Sequence, residues 1–169
     1  MNTFRKQATV LVVGAATLGS LLVPASMAAA APAKQNTAVT QPGEVRAAGI
    51  KIDVVTSTVD ISNRLYNIIS QAIAHKQNRS GYVKSLREGA FYDARERYNV
   101  MIIKADHKYS SNLKRIVYDA KVKGGNYPTF RVIVFESGSF TNRGDGGYDN
   151  WAFRGWYKRD GMTVNFRKK

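Results

Sequence analysis

Cysteine is absent from the 169 residues, only two histidines occur, and Asp plus Glu number 12 against 26 Lys plus Arg. The first absence removes disulfides, thiol nucleophiles and every thiolate metal site, so stability must come from packing and hydrogen bonds. The two histidines, His75 and His107, fall at no zinc-binding spacing. Oxygen atoms of Asn142, Asp145 and Asp149 form the best candidate for a calcium loop, but they offer few carboxylates and lie near Arg143 and Arg154. No metal and no cofactor are expected. Nucleophilic catalysis is equally poorly served: no Gly-x-Ser-x-Gly elbow exists, and Ser110, Ser111, Ser137 and Ser139 have no base placed by sequence.

A long apolar run is also missing. The run from Ala8 to Val23 is 16 residues and contains Gly14 and Gly19, short of the roughly 20 that cross a bilayer. Arg5 and Lys6 precede it, and Pro24 and the small residues Ala25 to Ala31 follow. That order predicts a secretory signal peptide over 1–30, cleaved after Ala28 or Ala30, and an extracellular protein. Residues 31–50, rich in Pro, Ala, Gln and Thr without a hydrophobic period, read as a flexible leader or pro-segment. Residues 51–169 then form one domain, large enough for a single core.

What is abundant is positive charge. From Lys51 onward there are 22 Lys plus Arg against 11 Asp plus Glu, an imbalance that favours polyanions. Expected partners are an anionic cell-envelope polymer or an anionic lipid surface, with nucleic acid as a further polyanion, bound by a monomer.

Apolar periodicity divides the domain. Ile61, Leu65, Ile68, Ile69, Ala72 and Ile73 predict a helix over 60–77, capped by Ser57, Thr58 or Asp60 and stopped by Ser80-Gly81. Val83, Leu86, Ala90 and Ala94 predict a second over 82–96, weakened by Gly89. Period-2 patterns then predict strands around Tyr98–Ala105, Ile116–Val122, Tyr127–Glu136 and Ser139–Asn142, and a final pair over 149–158 and 162–167 turned by Asp160-Gly161. The expected fold class is α+β, with two N-terminal helices packed on a mostly antiparallel sheet of four to six strands.

Both tryptophans lie in the segment Tyr148 to Arg159, where rings alternate with cations. Strand alternation puts Trp151, Phe153 and Tyr157 on one face, read as the face that holds the sheet to the helices. Trp156 is then the exposed ring, and the predicted binding residues are Arg154, Trp156, Lys158 and Arg159. No catalytic residue is assigned.

The run Gly144 to Trp156, of pattern GDGGY-x-NWAF-x-GW, together with Ala90-Phe91-Tyr92 and Arg97-Tyr98-Asn99-Val100, resembles a set of small secreted proteins of Bacillus and relatives labelled stress proteins. The resemblance spans most of the chain from about Thr56; it implies export and a compact domain and brings no family active site. In outline, a small basic domain with helices before an antiparallel sheet is also similar to the bacterial guanyl-type ribonucleases. That likeness implies roles for Glu136, Arg131 and Arg154, but no histidine follows His107 to act as the late general acid. The expected function is thus a secreted, cationic, non-enzymatic binding protein at cell surfaces, in envelope stress or antimicrobial action. A ribonuclease-like toxin and an inhibitor of an extracellular enzyme are the alternatives.

Overall fold

A computed structural model describes the backbone of residues 44–47 and all of residues 49–169, and these residues form two helices and eight strands. The expected signal peptide and most of the expected leader lie outside the described residues. Two strands come first, β1 (Glu44–Ala47) and β2 (Ile50–Ser57), followed by α1 (Ser62–Ala74) and α2 (Arg79–Asp93). Six strands complete the chain: β3 (Asn99–Lys104), β4 (Tyr109–Gly124), β5 (Phe130–Asn142), β6 (Trp151–Arg154), β7 (Tyr157–Asp160) and β8 (Thr163–Phe166).

This arrangement corrects the expected fold in two respects. The helices are not N-terminal: they follow β1 and β2, and β2 pairs antiparallel with β4 at the far side of the sheet. The sheet has eight strands rather than four to six. Ile50, Ile52 and Val54 alternate as a strand requires, but they abut a Pro- and Ala-rich stretch that masks the period.

Helix α1 forms because Leu65, Ile69 and Ala72 recur on one buried stripe. None of the expected caps closes its start, where Ile61 makes no side-chain cap bond. Ser80-Gly81, expected as the stop of α1, lies instead in the first turn of α2, which Asn78 caps: its Oδ1 accepts from Gly81 N at 2.8 Å. Gly89 has a packing reason. A Cβ there would lie 2.1 Å from Ile68 Cδ1, so glycine lets α1 close on α2.

Strands run in the order β1-β2-β4-β5-β3-β6, and β8 with β7 joins β5 off that path. Strand β5 is therefore a fork. Its Phe130–Phe135 half pairs with β3 and its Gly138–Thr141 half pairs with β8, while β4 follows it on the other edge. Gly138 sits at the branch with φ +127°, and a Cβ there would lie 2.1 Å from the Asn112 carbonyl oxygen. Only glycine fits that backbone.

The fork produces two cores. Val100, Ile102, Ala120, Val132 and Val134 face the helices, against Leu65, Ile69, Val83 and Leu86. On the opposite side Met101, Ile103, Ile133 and Phe135 pack with Phe140, Trp151, Val164 and Phe166. Residues 99–103 of β3 are buried, the pattern of a strand covered on both faces.

Asn99 ties the branch together. Its buried Nδ2 donates to the carbonyls of Glu136 (2.7 Å) and Arg167 (3.0 Å), and its Oδ1 accepts from Trp156 N (2.8 Å). Four segments distant in sequence are thereby joined through one amide.

A tyrosine and arginine surface as candidate functional site

Gly155, at φ +134°, ends β6 and turns the chain into β7. Trp151 to Arg159 is consequently not one strand, and the four expected binding residues separate. Arg154 projects from β6 toward α2, where Nη1 bonds the Glu88 carboxylate and Nη2 donates to Tyr92 Oη at 3.1 Å. Its guanidinium lies over the rings of Phe91 (4.6 Å) and Tyr92 (5.1 Å).

Trp156 is half-buried rather than the exposed ring, because it packs against the helix-side core with its ring centroid 5.9 Å from Phe91. Lys169 Nζ stands 5.1 Å from the indole centroid. The odd-numbered set also departs from its expected role. Trp151 and Phe153 belong to the core on the side away from the helices, and Tyr157 is 46% exposed on β7.

Arg159 and Lys158 leave β7 on opposite faces, as neighbours on a strand must. Arg159 lies 5.3 Å over the Trp151 ring, with Nε donating to the Gly161 carbonyl at 2.8 Å. It has no carboxylate partner among the described residues. Lys158 points to solvent.

Arg159 and Arg87 line a cleft of about 240 Å³ with Tyr148, Phe153 and Tyr157. Tyr148 is 39% exposed, and Arg87 lies 5.5 Å from its ring centroid. Arg87 also bonds Glu88, so a single carboxylate holds both Arg87 and Arg154. Burial pushes the Tyr148 phenol up from its ordinary value, against the opposing pull of Arg87. Near neutral pH the hydroxyl remains a donor.

The glycine-rich loop positions Tyr148 with its own side chains. Asp145 Oδ1 accepts from Gly147 N and Oδ2 from Asn150 Nδ2, both at 2.8 Å. Asn142 Nδ2 donates to the Asp145 carbonyl, and Trp151 Nε1 donates to that of Gly146. Oxygens considered for calcium at Asn142 and Asp145 thus serve the loop, and no cluster of metal-ligating side chains occurs among the described residues.

Arg131, Glu136 and Arg154, the set implied by the ribonuclease outline, are each paired with different partners. Arg131 grips buried Asp119 through two bonds of 2.8 and 2.6 Å. Glu136 is held by Lys168 at 3.0 Å and Arg115 at 3.5 Å, with Lys168 the larger cause of a carboxyl below its usual range. Arg154 belongs to Glu88.

Arg87, Glu88, Tyr92 and Tyr148 were missed from sequence. Glu88 and Tyr92 are four apart on α2, a spacing that puts them on one helix face, but their proximity to Arg154 depends on the docking of α2 against β6. Tyr148 carried a ring in a glycine loop and no signal of its direction.

The molecule is thus a small, basic α+β domain with an arginine and tyrosine surface at the edge of its sheet. It is 40% identical over 150 residues to the "Stress response protein YvgO" of Bacillus subtilis (strain 168), covering 87% of this chain and 89% of that protein. The chain belongs to this family of stress response proteins. No protein-family model and no solved structure matches it.

Proposed function

We propose that the protein is exported and works outside the cell as a cationic, non-enzymatic binding protein, holding an anionic polymer of the cell envelope during envelope stress. The same contact on a competitor's envelope would make it antimicrobial. The observation that carries the reading is Arg159, stacked on Trp151 without a carboxylate partner among the described residues, in a cleft shared with the half-exposed rings of Tyr148 and Tyr157. Stacking on an indole orders a guanidinium while leaving planar donors for phosphate or carboxylate oxygens. Tyrosine rings beside it offer flat surfaces and hydroxyls to the sugar or polyol part of such a polymer. The excess of 11 positive charges over residues 51–169 adds long-range attraction.

The test is retention of the exported chain on purified cell walls at low salt, with anionic vesicles and RNA as parallel arms. Arg159→Ala with Tyr148→Ala is expected to weaken wall retention by about tenfold, roughly the loss of one stacked or charge-assisted contact, with thermal unfolding unchanged. Equal retention by this variant removes the site. Failure of the parent protein to bind walls removes the function. Cleavage of RNA that disappears in Glu136→Ala replaces it with the ribonuclease reading.

A further inference from the structure

Beyond Gly138 the sheet turns a second surface to solvent. Register fixes it: Ser110 opposes Thr141, Thr141 opposes Thr163, and Thr163 opposes Asp160. One step along, Asn112 opposes Ser139, Ser139 opposes Asn165, and Asn165 opposes Lys158. Because Phe140, Val164 and Phe166 alternate with these positions and fill the second core, both rows face outward.

The helices cover this side of the sheet at Val132 and Val134. Past the fork the rows are exposed or half-buried. Each spans four strands, about 14 Å at ordinary strand spacing. Thr141 and Thr163 share a hydrogen bond of 3.0 Å, and Arg143 Nε donates to Ser110 Oγ at 3.0 Å.

Six of the eight positions are uncharged hydroxyl or amide side chains, and Asp160 is their sole acid. A face shaped only for solubility mixes charges of both signs, and strands disfavour asparagine, which occurs here twice. Local rules broken without a packing gain are expected at functional or strained sites, and no residue of these two rows has a positive φ. Lys158 at one side and Arg143 at the end supply the charge complement.

We infer that the outer face of β4, β5, β8 and β7 is a hydrogen-bonding platform for the hydroxyl groups of a polyol phosphate polymer, with Lys158 and Arg143 meeting its phosphates. The inference rests on the envelope-polymer reading above and names the polymer's class. Strand β7 joins the two surfaces, since Arg159 leaves it toward the cleft and Lys158 toward the platform. One flexible polymer engaging both sides gains avidity beyond either contact.

The experiment measures binding of the full exported chain to poly(glycerol phosphate) and to inorganic polyphosphate, which has the charge without the hydroxyls. Asn112→Ala with Asn165→Ala keeps the net charge and is expected to weaken poly(glycerol phosphate) binding about fivefold, the scale of a lost hydrogen bond, while polyphosphate binding holds. Ser139→Asp with Asn165→Asp is expected to cost more than Lys84→Gln with Lys123→Gln, an equal change in charge at remote exposed sites. Equal losses for both polymers, or for both charge variants, overturn the platform. Unchanged binding by the alanine pair, with weakening by Arg159→Ala, overturns the platform and leaves the cleft standing. No binding of poly(glycerol phosphate) by the parent chain removes the platform, and the wall arm separately decides the broader function.

Discussion

Asn99 donates from Nδ2 to the carbonyl of Glu136 across 2.7 Å, linking the first residue of β3 to the point where β5 changes partner. The same amide reaches Arg167 and Trp156, so its loss strands three backbone groups at once. Asn99→Leu is therefore expected to destabilise the domain by about 3 kcal/mol or more. Urea unfolding should show a lower midpoint at unchanged slope, and a loss under about 1 kcal/mol would mean that water replaces the amide.

Gly155 guards the other side of that amide. Its φ of +134° suits glycine, and a Cβ would lie 2.1 Å from Asn99 Oδ1. Gly155→Ala should cost about 2 kcal/mol or more through backbone strain and displacement of Asn99. Calorimetry of the single and double variants with Asn99→Ala should show strong non-additivity, because both act on one contact.

Glu88 holds Arg87 and Arg154 in place of an outside anion. Both side chains of the Arg154 pair are partly exposed, at 37% and 21%, so Glu88→Gln should cost at most about 1 kcal/mol of stability. The same change frees two guanidinium groups and is expected to tighten polyanion binding severalfold at low salt. Titration calorimetry across a salt series distinguishes this from a structural loss, which would weaken binding at every salt concentration.

Burial pushes the Tyr118 phenol up to about 12, opposed by its hydrogen bond with Ser62. Its unfolded value is near 10, so the unfolded chain loses this proton first. The contribution is whole below about pH 10 and is lost as pH rises through about 12, on the order of 2–3 kcal/mol. Tyr118→Phe should flatten the fall of stability over that window. A parallel fall in both proteins would assign it to other groups, among them Tyr82, whose phenol burial also raises.

Legibility of the sequence followed the range of the forces involved. Leu65, Ile69 and Ala72 repeat every turn and disclose α1 unaided, and Asp160-Gly161 marks the β7–β8 hairpin. Ser80-Gly81 reads as a stop because the cap that makes it the first turn of α2 depends on the bond from Gly81 N to Asn78 Oδ1, which only the folded turn displays. Trp156 shows the limit of strand alternation: the rule fails wherever a residue such as Gly155 breaks the strand, and the sequence marks that glycine without its φ. The site was half legible. Arg159 and its aromatic neighbours lie in one segment, whereas Arg87 and Glu88 arrive from a helix some 70 residues earlier.

The two-partner edge of β5 also sets an order of events as the chain folds. β4 and β5 are joined by the short connection 125–129 and can zip together on a microsecond scale. β3, β6, β8 and β2 must then find edges that this hairpin has already created, at greater loop-closure cost. Substitutions such as Val132→Ala should slow folding, whereas Val164→Ala should mainly hasten unfolding, a contrast that stopped-flow kinetics can read.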